Sequence, residues 1–161
     1  MEKRKTNIFE IVILGLILIT ALLLRLWNLD KPEGMWFDEM NTYFDAKMRF
    51  SQMFEVFFNR HLHTPLYYVF LNLWMKIFGE ADFTIRLLSV IFGVLTVPVM
   101  YLCGKELKCD KTALLAGFFA AINSLLICYS QEVRIYSLTA MFSALAVLFL
   151  LRLNNNPSKG N

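Results

Sequence analysis

Four long apolar segments constrain the fold of this chain more than any other feature. They cover residues 8–24, 83–103, 113–128 and 135–153. A helix that crosses a bilayer needs about 17–25 mostly apolar residues, and these segments approach or reach that length. The lipid interior accepts only helices or closed barrels, because every backbone polar group must be satisfied internally. The sequence therefore predicts an all-α membrane protein with about four transmembrane helices.

The composition agrees with this prediction. Hydrophobic residues make up 57% of the chain and charged residues 18%, and the mean hydropathy is +0.50. Soluble globular domains carry about 25% charged residues. The net charge of +3 is small, so we expect no nucleic acid among the partners.

The first apolar segment has two interpretations, a secretion signal or an uncleaved span. Basic residues 3–5 precede it, as they would in either case. A signal usually has an apolar region of about 7–15 residues and then a small-residue cleavage site. This segment is longer and continues as Leu24-Arg25-Leu26-Trp27, which offers no such site. We predict an uncleaved span with Trp27 in the interfacial aromatic belt.

The distribution of Lys and Arg predicts the orientation of the spans, because basic short connections stay on the cytoplasmic side. With about four spans, all the basic clusters fall on one side. Both termini are then cytoplasmic at the cell membrane, while a large first loop, residues 25–82, and the short turn 129–134 face outward. The basic residues are Lys3, Arg4, Lys5, Lys105, Lys108, Lys111, Arg152 and Lys159.

The large outer loop is rich in aromatic and apolar side chains at helical spacing. Residues 39–60 alternate large apolar side chains with charged ones, a pattern that predicts an amphipathic helix or helix pair along the membrane surface. Residues 65–78 are nearly all apolar but too few to span comfortably. We therefore predict a second helix there that re-enters the membrane or packs on the bundle.

Two adjacent carboxylates in this loop are the first candidate site. Asp38 and Glu39 follow Trp36-Phe37 at the start of the amphipathic segment. Acidic side chains at a helix start commonly cap free N–H groups and face the positive end of the helix dipole. The functional alternative is that Asp38 takes a proton or helps to bind a metal, with Glu39 assisting.

Both histidines of the chain lie in the same loop, as His61-Leu62-His63-Thr64-Pro65. Alternating histidines downstream of an acidic pair are compatible with a divalent metal site, although the ligands are widely scattered. The alternative is that these polar residues end one helix and open the next, with Pro65 in its first turn.

A second outer-facing pair, Glu132 and Arg134, lies in the turn between the third and fourth spans. The turn could simply hold polar residues within the aromatic belt. A guanidinium on the outer side is also suited to a bidentate contact with a phosphate at the membrane surface.

Arg86, near the start of the second span, also has two interpretations. An arginine near a helix end can snorkel to the interface without any further role. The alternative is that it turns inward and pairs with Asp38 or Glu39.

These motifs, taken in order, resemble the N-terminal part of the protein O-mannosyltransferase-like glycosyltransferases, which are membrane enzymes of the GT-C superfamily. The resemblance covers nearly the whole chain and implies a partial GT-C fold. It also implies transfer of a sugar from a polyprenyl-phosphate donor to an acceptor on the outer face, usually with inversion at the anomeric carbon. The motifs that carry it are Trp36–Glu39, His61–Tyr68, Ile85–Ser89 with Gly93, and Ser130–Ser137.

The resemblance implies roles for individual residues. Asp38 matches the family's catalytic aspartate, a general base toward the acceptor hydroxyl, and Glu39 matches its acidic partner. Arg86 matches an arginine that supports this loop. Glu132 and Arg134 match the motif near the donor phosphate, where Arg134 would offset the charge of the leaving group.

The histidine motif departs from the family pattern. Family members usually carry two prolines after their histidine, whereas this chain reads His61-Leu62-His63-Thr64-Pro65, so both His61 and His63 remain candidates for the equivalent position. Members are several times longer, and we expect a C-terminal module of the family to be missing from this chain. Expected partners are the lipid-linked donor, membrane lipids and an acceptor protein, lipid or glycan.

A non-catalytic membrane module with a partner-binding outer loop is the main alternative function. A small transporter is a weaker alternative. Transporters tend to carry mid-span charges and inverted repeats, and this sequence shows neither.

Overall fold

The computed structural model describes residues 8–30, 34–53, 55, 65–107 and 109–155. These residues form helices joined by short connections and contain no strand. Residues 50–53 are a further short helical stretch. The helices in chain order are α1 (Ile8–Leu26), α2 (Phe37–Lys47), α3 (Leu66–Phe78), α4 (Asp82–Glu106), α5 (Asp110–Ile122), α6 (Ser124–Ser130) and α7 (Tyr136–Asn155).

Helices α1, α4 and α7 are each long and apolar enough to cross a membrane. Helices α5 and α6 pass the same test together but meet at a 52° bend, so the described residues contain three spans, or four if the bent pair counts as one. The predicted all-α membrane protein is confirmed, and the fold is consistent with a partial GT-C fold. The chain is thus a multi-pass membrane protein.

The third predicted span, 113–128, differs from the sequence-based expectation because it is broken. The break falls at Asn123, whose side-chain oxygen accepts a hydrogen bond of 3.0 Å from the backbone N–H of Leu126. Asparagine is a favoured N-cap residue, since this bond satisfies a backbone donor that has no partner inside the helix. Asn123 therefore starts α6 as a new helix.

The start of the predicted outer loop also differs from expectation. We predicted that the loop begins at Arg25, but α1 continues to Leu26 and Arg25 is fully buried in its last turn. The segment 39–60 was predicted as one amphipathic helix or a pair. Its described residues agree with the pair, because Met48 has an extended backbone with ψ of 158° that ends α2 before the helical stretch 50–53. The predicted short helix after Pro65 is confirmed as α3.

Ion pairs at one end of the bundle show how the spans are arranged. Glu10 of α1 pairs with Lys105 of α4 and accepts a hydrogen bond of 2.8 Å from Tyr101. At the same end, Glu106 of α4 pairs with Arg152 of α7 at 3.0 Å. We call this the basal end. Helices α2 and α3 and the connection between α6 and α7 lie at the opposite end, which we call the loop end.

Helix α4 is the centre of the bundle, since it packs against both α5 and α7. Helices α4 and α5 approach closely at the basal end, where a Cβ atom on Gly104 would lie 2.5 Å from the Cα atom of Ala113. Small residues permit such close packing of membrane helices. Under the loop end lies a cluster of buried side chains from α2, α3, α4 and α7, including Ala46, Tyr67, Tyr68, Leu71, Met75, Ile85, Leu88, Phe92 and Leu138.

Candidate functional site

The two adjacent carboxylates have opposite environments although both occupy the first turn of α2. Glu39 is fully buried and forms a bidentate ion pair with Arg86 of α4, which is also fully buried. The Oε2 atom of Glu39 lies 2.9 Å from Nη2 of Arg86, and its Oε1 atom lies 3.3 Å from Nε. The predicted inward pairing of Arg86 is thus observed with Glu39.

Glu39 accepts two further hydrogen bonds from the backbone. Its Oε1 atom accepts from the N–H of Val133 at 2.8 Å, and its Oε2 atom accepts from the N–H of Trp36 at 3.4 Å. The second contact is half of a capping box, in which an acidic side chain in the first turn reaches back to the N-cap. Glu39 therefore caps α2 and also holds the connection that leads to α7.

Arg86 donates to the segment between α1 and α2. It reaches the carbonyl of Leu29 at 3.2 Å and that of Gly34 at 2.9 Å. Gly34 has a φ of 74°, a left-handed conformation that glycine adopts without strain. We call Glu39, Arg86 and their backbone partners at Leu29, Gly34, Trp36 and Val133 the clamp. The clamp joins the segment that leads into α2, the start of α4 and the connection that leads to α7.

Asp38 faces the accessible side of the same turn, and its side chain is 39% exposed. Its Oδ2 atom lies 3.6 Å from Nη2 of Arg134, whose side chain is 13% exposed. Nη1 of Arg134 also donates to the backbone oxygen of Asp38 at 3.1 Å and to the hydroxyl of Thr42 at 3.2 Å. An accessible carboxylate and a guanidinium thus share one surface at the loop end.

Tyrosines surround the guanidinium of Arg134. The Cζ atom of Arg134 lies 5.5 Å from the centre of the Tyr136 ring, and Nη2 lies 3.5 Å from the Tyr136 hydroxyl. Burial lowers the pKa of Arg134, but Tyr136, Asp38 and Tyr68 raise it and outweigh the burial. Burial raises the pKa of Tyr68 despite the nearby Arg134. The site therefore keeps a permanent positive charge beside a neutral phenol.

The Nε atom of Arg134 is buried without a hydrogen-bond partner in the described part of the chain. A guanidinium has five N–H donors, and a buried donor without a partner costs free energy. This donor is consistent with an acceptor that the described residues do not supply.

The structure brings four of the predicted site residues together: Asp38, Glu39, Arg86 and Arg134. Glu132 is in the same connection and partly buried, and its backbone oxygen accepts from the N–H of Arg134 at 2.8 Å.

His61 and His63 lie outside the described residues. Within the described ranges, no group of three or more His, Cys, Asp or Glu side chains is placed to hold a metal ion. The carboxylates are also engaged with nitrogen groups: Asp38 faces a guanidinium, and both oxygens of Glu39 accept N–H groups. The described residues of this site therefore do not fit a divalent metal.

Sequence reasoning missed the roles of Thr42 and Gln131. Thr42 contacts Arg134, and the side chain of Gln131 donates to backbone carbonyls more than 100 residues away, including that of Trp27. Gln131 lies inside a motif that was singled out, but its partners are at the end of α1. Spacing along the sequence carries no signal for such a contact.

A membrane bundle of helices with a polar site formed by its first loop is consistent with the class of GT-C membrane glycosyltransferases. The sequence comparisons identify the family within that class. The chain belongs to the dolichyl-phosphate-mannose-protein mannosyltransferase family, whose sequence profile matches residues 62–160.

Individual relatives extend this match over most of the chain. The chain is 30% identical over 168 residues to Protein O-mannosyl-transferase 1 of Rattus norvegicus, which covers 93% of this chain and 21% of the relative. It is 29% identical over 173 residues to the Homo sapiens protein of the same name, which covers 95% of this chain and 23% of the relative. The chain thus spans about a fifth of the length of the curated relatives it matches. No solved structure matches it significantly.

Proposed function

We propose that this chain contributes the acceptor-activating site of a glycosyltransferase that moves a sugar from a polyprenyl-phosphate donor to an acceptor on the extracytoplasmic face. The observation that carries the proposal is the accessible carboxylate of Asp38, which lies 3.6 Å from the guanidinium of Arg134 at the loop end. Membership of the mannosyltransferase family supports the same reaction class.

The chemistry assigns different tasks to these two residues. Asp38 accepts the proton of the acceptor hydroxyl as the acceptor oxygen bonds to the anomeric carbon. The bond between that carbon and the phosphate oxygen breaks, and the lipid phosphate leaves with the electron pair. Arg134 offsets the negative charge on this phosphate. A lipid-linked donor stays in the bilayer, so its phosphate must be met at the ends of the spans.

Glu39 acts as a positioning residue in this proposal. It is fully buried, and both of its oxygens accept hydrogen bonds from Arg86. Its contact with the N–H of Val133 fixes the connection that carries Arg134. The clamp therefore sets the distance between the base and the phosphate-binding group, a kind of preorganisation on which rates depend strongly.

A non-catalytic module is the second candidate, and one observation favours it. Phe37, Met40 and Phe44 share a face of α2 and are 75%, 44% and 57% exposed. Such a face can bind a partner or the membrane interface. Under this alternative, changes at Phe37 and Phe44 affect partner binding, while Asp38 is dispensable.

Reconstitution into liposomes tests the proposed reaction directly. We expect transfer of labelled sugar from a polyprenyl-phosphate donor to an acceptor in the lumen of the liposome. The preparation contains the chain, alone or with any adjoining polypeptide of the same enzyme. Mannosyl, glucosyl and arabinosyl donors tested in parallel identify the sugar. Absence of transfer from all donors, in a preparation that contains the whole assembly, would favour the non-catalytic module.

The proposed orientation predicts the accessibility of two thiols. Two variants with a single cysteine are compared in intact cells: Gln52→Cys without the native cysteines, and a protein that keeps only Cys109. The first should react with an impermeant thiol reagent, and the second should not. Both positions are exposed in the structure, so burial does not explain a difference. The basic clusters, which favour the cytoplasm, are the reason for this prediction. Labelling of Cys109 under conditions that leave cytosolic controls unlabelled would contradict it.

Replacing Arg134 with lysine tests the phosphate contact. We expect the KM for the donor to rise about tenfold, because an ammonium keeps the charge but loses the planar fork that binds phosphate in two places. Arg49→Lys is the matched control, since Arg49 is an exposed arginine of the same outer loop. An unchanged donor KM for Arg134→Lys would remove Arg134 from the donor site.

A further inference from the structure

We propose that Arg25 and Gln131 form a helix-end latch that holds α1 against both α5 and α6 and positions Arg134 opposite Asp38. Arg25, in the last turn of α1, donates to carbonyls at the end of α5, and Gln131, directly after α6, donates to carbonyls at the end of α1. The latch is a positioning device outside the site described above. The inference rests on the proposed function for its kinetic consequence, but its geometry can be tested separately.

The first half of the latch is the buried guanidinium of Arg25. Nη1 donates to the carbonyl of Ala121 at 3.0 Å and to that of Ala21 at 3.1 Å, and Nη2 donates to that of Ala120 at 3.1 Å. Helix α5 ends at Ile122, so the carbonyls of its last turn have no partner within the helix. Arg25 supplies that partner and stabilises the bend between α5 and α6.

The second half of the latch is the side-chain amide of Gln131. Its Nε2 atom donates to the carbonyl of Trp27 at 2.8 Å, to that of Arg25 at 3.2 Å and to that of Leu24 at 3.4 Å. These carbonyls belong to the C-terminal end of α1, where they too lack partners within the helix. Unpaired carbonyls near the hydrocarbon are costly, so the Arg25 half stabilises the contact of α1 with α5, and the Gln131 half stabilises its contact with the end of α6.

Gly93 of α4 makes the space in which the latch closes. A Cβ atom at this position would lie 2.6 Å from Cβ of Ser130 and 3.0 Å from Nε of Arg25. Real Cβ atoms essentially never approach other atoms within 3.0 Å, so any side chain at this position would force Ser130 or Arg25 to move. The requirement for glycine therefore comes from Ser130, the residue before Gln131, and from the Arg25 side chain.

The latch acts on the site through a short connection. Gln131 follows α6 directly, and Arg134 comes three residues later in a segment whose middle residue, Val133, is held by the clamp. The latch fixes the start of this segment and the clamp fixes its centre. Arg134 is then left with one position relative to α2. If the latch opens, Arg134 should lose its alignment with the donor phosphate while Asp38 stays in place.

Gln131→Met and Gly93→Ala are the test variants. The first keeps the side-chain length and removes the donors, and the second inserts a methyl group into the latch. Two control variants exist. A Cβ atom at Gly15 meets nothing within 4 Å, and one at Gly104 would lie 2.5 Å from the Cα atom of Ala113 at the basal end. Gly104→Ala thus disturbs helix packing far from the latch.

The structural measurement uses spin labels on the full chain in lipid nanodiscs. One label is placed on Cys128 of α6, which is exposed, and the other on the new thiol of a Trp27→Cys variant, since Trp27 is 79% exposed. The remaining cysteines are replaced. We expect one narrow distance distribution for the parent and for Gly15→Ala and Gly104→Ala, and a broadened or shifted one for Gln131→Met and Gly93→Ala.

The kinetic measurement compares the KM for a polyprenyl-phosphate sugar with kcat. Both latch variants should raise the donor KM by at least about tenfold with a smaller change in kcat, since displacement of a binding group by about 1 Å is costly. Gly104→Ala should lower stability without raising the donor KM more than it changes kcat.

An unchanged label distance in both latch variants would overturn the latch. Equal effects of Gly104→Ala and Gly93→Ala on the donor KM would do the same. If the whole assembly that contains the parent chain transfers no sugar, the proposed function fails and the label distances alone decide the latch.

Discussion

Asp38→Asn should reduce sugar transfer by about 10²–10⁴-fold, the range expected when a general base is removed. Asparagine keeps the shape of the side chain and an oxygen that can face Arg134, but it cannot take the proton of the acceptor hydroxyl. The measurement is the rate of transfer in reconstituted liposomes at saturating donor. Thermal unfolding in detergent, followed in parallel, reports whether the fold is intact.

The structure gives a reason to expect an intact fold in this variant. The side chain that caps α2 is Glu39, through the N–H of Trp36, and Arg134 reaches the backbone oxygen of Asp38 rather than only its carboxylate. These contacts survive the substitution. Asp30→Asn, the same chemical change at an exposed residue of the same loop, is the matched control and should keep parental activity. Full turnover with asparagine at position 38 would remove Asp38 from the catalytic role, despite the family membership.

The spans could be predicted from the sequence because hydropathy over a bilayer-length segment is a local property. Helices α1, α4 and α7 follow from it directly. The bend at Asn123 could not be predicted with the same ease. Asn123-Ser124 is a typical helix start, but it lies in an otherwise apolar segment, and there the hydropathy pattern favours one continuous span.

The site was only partly predictable for a related reason. The sequence places Asp38 and Glu39 side by side, and nothing in it says which carboxylate is buried. The difference arises because Glu39 faces Arg86, which is 47 residues away in the sequence. In the same way, the sequence shows Arg25 at the end of an apolar segment, where snorkelling to the interface is the usual outcome. Its buried position depends on the end of α5, which comes 95 residues later.

Arg86→Met should be the most destabilising single change at the loop end, with a loss of roughly 3–5 kcal/mol in the free energy of unfolding. Methionine fills much of the same space but leaves the charge of Glu39 buried without its partner. It also leaves the carbonyls of Leu29 and Gly34 without the donor they have now. The free energy is measured by titrating detergent-solubilised protein with SDS and following helix content.

A double variant separates the charge effect from a simple loss of packing. Glu39→Gln combined with Arg86→Met removes both charges and keeps an acceptor for the N–H of Val133. We expect it to be less destabilised than Arg86→Met alone, because the uncompensated buried charge is gone. The control is Lys47→Met, which breaks the ion pair between Lys47 and Glu80. These two side chains are 43% and 46% exposed, so the substitution should change stability far less. If Arg86→Met and the double variant lose the same stability, the ion pair makes no specific contribution, and the clamp would reduce to ordinary packing around α4.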